Sequence, residues 1–104
     1  MKINVTNSAL AEIKDILANN NNPLKVIRIQ AASFGWGLPS LGIVLDEQNK
    51  YDEVFNTNGI SFLIGSDLYC FEGYEVDGFE VDYLTTSLNK GFVVSPLYFT
   101  DWLW

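Results

Sequence analysis

The sequence predicts an α+β domain, mainly β, with one helix near the N-terminus and short strands after it. Two patterns carry that expectation. Apolar residues recur at helical period once, at Ala9, Leu10, Ile13, Ile16 and Leu17. Beyond that stripe, apolar and polar residues alternate in short runs separated by Gly, Asn and Asp. With 104 residues, 48% of them hydrophobic and 14% aromatic, the chain fits a single domain over residues 1–104 with its own core.

Residues 2–5 read as a strand, and Thr6 is a good N-cap because its hydroxyl can accept from an early helical N–H. Lys14 and Asp15 lie off the apolar stripe. Four asparagines followed by Pro23 end the helix, since none of them favours its continuation. Residues 24–31 alternate, with Ile27, Ile29 and Ala31 on one face and Val26, Arg28 and Gln30 on the other. Leu41, Ile43 and Leu45 alternate with Gly42, Val44 and Asp46 in a second strand. Residues 46–51 are a polar turn, so neighbouring segments are expected to pair antiparallel. Phe55 marks another strand, Asn56-Thr57-Asn58-Gly59 a turn, and Ile60, Phe62 and Ile64 an alternating strand. Asp67 is expected to cap a short helical turn over residues 68–71. Residues 79–84 and 91–94 read as strands joined through Asn89, Lys90 and Gly91.

Composition removes several classes of chemistry. The net charge of −7, with a pI near 4.2, disfavours nucleic acid and anionic membrane surfaces as partners. One Cys and no His exclude an internal disulfide, a Cys/His zinc site within one chain, and His-based nucleophilic catalysis. The first residues lack the apolar stretch of a signal peptide, and no apolar run approaches the ~20 residues of a membrane-spanning helix. A cytoplasmic, acidic protein with no membrane partner is the expectation.

The loop Ser33-Phe34-Gly35-Trp36-Gly37-Leu38-Pro39-Ser40-Leu41-Gly42 leads directly into Ile43-Val44-Leu45-Asp46-Glu47. Its glycines mark backbone that bends sharply or lets another group approach closely. A metal site built there would carry a Cys; this chain carries Trp36.

The order of these pieces resembles the HesB/IscA-like A-type iron–sulfur carriers. The matching stretches are Ile3-Asn4-Val5-Thr6, Val26-Ile27-Arg28-Ile29, the glycine loop with Leu45-Asp46-Glu47, and Gly59-Ile60-Ser61-Phe62. Glu80-Val81-Asp82-Tyr83 and Gly91-Phe92-Val93-Val94 continue the match to residue 95, and Pro39-Ser40-Leu41-Gly42 is similar to a HesB-like branch. The resemblance implies a single HesB-like domain with a twisted β-rich fold and one N-terminal helix, often assembled as a dimer. It also implies three cysteines that hold iron or a cluster, one in the glycine loop and a Cys-x-Cys pair near the C-terminus. Here the loop position falls on Trp36, or on Gly35 with a one-residue shift, with Gly37 beside it. Residues 95–104 contain no Cys. The resemblance therefore implies a degenerate member whose family ligands are missing.

Among the remaining candidates, Cys70 has two readings. It is either a small buried apolar residue, the preferred reading, or one half of an iron or cluster site shared between subunits. Asp46, Glu47, Asp52 and Glu53 are expected to bracket a solvated turn, because calcium-loop spacing is absent. Asp77, Glu80 and Asp82 contain the makings of an acid/base pair, but alternation puts Glu80 and Asp82 on one strand face, expected to be the wet one. Tyr98, Phe99, Trp102 and Trp104 either pack back onto the domain, the preferred reading, or form a partner surface. Trp36 either plugs the former ligand pocket or stands at its rim as a contact residue. The expected function is a non-catalytic binding or regulatory module, not an enzyme, with no cofactor and with a protein partner or a second copy in a homodimer. The alternative is an iron or iron–sulfur carrier using an intersubunit site with Cys70.

Overall fold

The computed structural model describes residues 1–32, 40–88 and 90–99. They form β1 (Lys2–Val5), α1 (Asn7–Ala18), β2 (Lys25–Ala32), β3 (Ser40–Glu47), β4 (Asp52–Thr57), β5 (Ile60–Gly65), a 3-10 turn (Ser66–Tyr69), β6 (Cys70–Phe71), β7 (Tyr74–Thr85) and β8 (Lys90–Tyr98). The mainly-β α+β expectation holds.

The strands make two sheets. In one, β3, β2, β5 and β4 lie in that order, with β2 antiparallel to β3 and parallel to β5. In the other, the long β7 carries β8 along one edge and β1 and β6 along the opposite one. β3 lies against β8 and β1 against β4, so the two sheets face each other around one core. Ile13 of α1, Ile27 and Ile29 of β2, Phe62 and Ile64 of β5, and Phe79 and Val81 of β7 fill it, each no more than 1% exposed. These are the residues that the helical stripe and the strand alternation place inward.

Thr6 begins α1 as its spacing predicts. Its hydroxyl accepts from Ala9 N–H at 3.2 Å and donates to Asp82 Oδ1 at 2.8 Å, while its own N–H donates to Val81 O. One residue thus caps the helix and ties it to β7. Thr6→Ala should lower the unfolding free energy by about 1–2 kcal/mol, read from thermal or denaturant unfolding.

Three local expectations need correction. β7 begins at Tyr74, ahead of residue 79, because a bulge between Val76 and Gly78 puts an extra residue into the strand. Val76 and Phe79 are both buried, and their spacing of three hides the strand from a period-two search. Asp67 does not cap the short turn: the 3-10 segment starts at Ser66 after Gly65, with no side-chain cap bond, and Asp67 lies within its first turn. β8 also runs beyond residue 94 to Tyr98 and accommodates Pro96, whose missing N–H is tolerable because β8 pairs with β7 alone among the described strands.

Candidate functional site

The most organised polar cluster among the described residues centres on Arg28. It lies mid-strand on β2, on the face opposite the core residues Ile27 and Ile29. Its Nε donates to Asp46 Oδ2 at 2.7 Å, and Nη1 and Nη2 donate to the two carboxylate oxygens of Asp52 at 2.6 Å each. Nη2 also donates to Glu47 O at 3.2 Å.

The sheet order explains the reach. Asp46 is on β3, beside β2, but Asp52 is on β4, with β5 in between. Asp52 pairs with Gly65 of β5, and a Cβ at Gly65 would stand 3.9 Å from Arg28 Nη1 and 2.7 Å from Asp67 Oδ1. A side chain at residue 65 would crowd the Asp67 carboxylate, whereas the guanidinium crosses β5 at ordinary contact distance from that position. Arg28 therefore fastens both ends of the residue 46–52 turn to the middle of the sheet.

Arg28 is 11% and Asp52 only 1% exposed at the side chain, so this is a buried, bidentate pair; Asp46 is half exposed. Hydrogen bonds from Arg28 hold the Asp52 carboxyl below the usual range despite the opposing effect of burial, and Asn49 N–H assists. The Asp46 carboxyl is lowered first by Glu47 N–H and then by Arg28. The expected solvated turn is thus corrected for Asp52; Glu47 and Glu53 are exposed. The isolated Arg28 in an apolar strand is the sequence signal for this cluster.

The candidate acid/base residues are occupied separately. Asp77 pairs with Lys2 at 3.7 Å, and Glu80 is exposed. Asp82 is half-buried rather than fully wet, and its Oδ1 accepts from Thr6, Ser8 and Tyr83 N–H. The Thr6 hydroxyl, then Tyr83 N–H, keep its carboxyl below the ordinary range. Asp82 is a helix-anchoring group here.

Cys70 is exposed, which overturns the preferred reading of a buried residue. It opens the two-residue β6, opposite Glu75, where a hairpin edge offers too little neighbouring chain to cover it. Across the same end of β7, Tyr74 and Tyr98 meet edge to face at 5.7 Å. Tyr98 is half-buried, and burial followed by the nearby Glu72 raises its phenol. Phe99 is 42% exposed and donates its N–H to Glu75 O. Gly35, Trp36 and Gly37 lie outside the described residues, as do Trp102 and Trp104. Among the described residues, no three His, Cys, Asp or Glu side chains converge as a ligand set, and no helix is long and apolar enough to cross a membrane.

No family model matches the chain. It is 29% identical over 93 residues to the "Putative iron-sulfur cluster insertion protein ErpA" of Chromobacterium violaceum, covering 88% of this chain and 76% of that one. The crystal structure of Escherichia coli SufA, involved in biosynthesis of iron–sulfur clusters, superposes with a TM-score of 0.62 at 27% identity, over 89% of this chain and 78% of SufA. In sequence and in fold the chain is similar to the A-type, HesB/IscA-like proteins. The fold of IscA crystallised with a [2Fe-2S] cluster agrees, with a TM-score of 0.70 at 17% identity over 91% of this chain and 85% of that one. The single cysteine of the chain lies in β6, outside both the glycine loop and the C-terminal segment where the family resemblance expects ligands.

Proposed function

We propose that this A-type chain is a non-catalytic binding or regulatory module that keeps the carrier fold without carrying a cluster. One observation supports the reading above others. The chain has a single thiol and no imidazole, and Cys70 belongs to no group of three or more ligand-forming side chains among the described residues. An iron–sulfur centre needs several soft anionic ligands, and one thiolate does not supply them. The donor set therefore does not fit a cluster within one chain. The module is expected to work in the cytoplasm with a protein partner or a second copy of itself. Apolar side chains exposed near the end of the β7–β8 hairpin, Leu84, Leu88 and Val93, are candidate contact positions.

Anaerobic incubation of the chain with iron and sulfide, followed by desalting, tests this. A colourless product is expected, and a stable visible cluster absorption contradicts the reading. The second reading, a site shared between two copies, draws on the exposure of Cys70, which leaves its thiol open to a neighbour. Under that reading Cys70→Ser abolishes metal retention; if retention is absent in both proteins, the shared site is ruled out.

A further inference from the structure

We infer that Asn58 is a site of spontaneous amide-to-acid conversion that acts as a slow covalent timer on the β4–β5 hairpin. The two strands are joined by Asn58 and Gly59 alone, between the paired residues Thr57 and Ile60. Both turn residues have left-handed backbones, with φ of 53° and 78°. Asn58 is exposed, and the space where a Gly59 side chain would stand is empty to 4 Å. Every other asparagine in the chain is followed by a residue bearing a side chain.

The Thr57 hydroxyl donates to Asn58 Oδ1 at 3.0 Å. That bond draws electron density from the carbonyl and would stabilise negative charge developing on its oxygen, as oxyanion-binding donors do. In the step proposed, Gly59 N loses its proton to base and bonds to Asn58 Cγ. The Cγ–Nδ2 bond then breaks, and the nitrogen leaves as ammonia after taking up a proton. Water opens the resulting succinimide at either carbonyl, giving aspartate or isoaspartate, with no oxidant or reductant involved.

The two products have different consequences. Aspartate keeps the backbone and adds one negative charge. Isoaspartate inserts a carbon into a two-residue turn whose length fixes the strand register. The pairing of Thr57 with Ile60, a residue only 4% exposed, then has to yield first. The folded turn must open briefly for attack, so the reaction is slow in the native chain and faster when the hairpin frays.

The test holds the purified full chain in mildly alkaline buffer beside a mildly acidic control. Peptide mapping by mass spectrometry follows conversion, and isoaspartate-directed methylation counts the isomer. The expected result is conversion at Asn58 ahead of every other asparagine, faster at the higher pH, with isoaspartate accumulating. Thr57→Val should slow it roughly fivefold, what one neutral hydrogen bond contributes. Conversion no faster at Asn58 than elsewhere, or an unchanged rate in Thr57→Val that keeps the native unfolding midpoint, overturns the proposal.

Discussion

Replacement of Gly78 by alanine is expected to cost at least about 3 kcal/mol and to detach β1 from β7. Gly78 follows the bulge in β7, which brings its Cα against the neighbouring backbone. A Cβ there would collide with Lys2 O and stand 2.9 Å from Lys2 N. Both contacts are with main chain of a paired strand, so no side-chain rotation relieves them. The strand that must move holds the β1 register at Lys2, Ile3, Asn4 and Val5, and Ile3 is a core residue. Gly91→Ala is the control: no atom lies within 4 Å of its added Cβ, and its unfolding midpoint should hardly change. Denaturant unfolding of the two variants, with amide exchange over residues 2–5, separates a local clash from a general glycine effect.

Asp52→Ala is expected to lower stability by about 3 kcal/mol, because it leaves the largely buried Arg28 without its bidentate partner. Asp46→Ala should cost far less, since that carboxylate is half exposed and holds Arg28 through one bond. The same pair predicts a pH response. The folded-state affinity of Asp52 for protons is reduced, so the unfolded chain binds them more readily. Its contribution is fully present above the ordinary carboxylate range and is lost as pH falls below about 4. Asp82 acts with the same sign through Thr6. Acid unfolding of Asp52→Asn should therefore show a shallower stability loss below that pH than the parent chain. An equal slope in both proteins would show that Asp52 is not held by Arg28.

Much of the architecture was legible because burial imposes periodicity. The helical stripe at Ala9 and Ile13, and the alternation at Ile27, Ile29, Phe62 and Ile64, name the core before any coordinates. What escaped reading was non-local. Arg28 and Asp52 lie 24 residues apart and meet across β5 at Gly65, a juxtaposition that only strand order creates. The bulge at β7 broke the period just where the strand begins. Cys70 was misjudged because the tendency of free thiols to be buried says nothing about a two-residue edge strand. The scarcity of thiols, by contrast, is visible at once, since a count of cysteines needs no geometry.

The central claim is that an A-type carrier fold persists here without the chemistry of cluster carriage. Iron and acid-labile sulfide per chain, determined after anaerobic loading and desalting, measure it most directly. The account predicts that neither rises above the background of an unrelated protein treated alongside. A reproducible, near-stoichiometric content of both, retained through gel filtration, would contradict it.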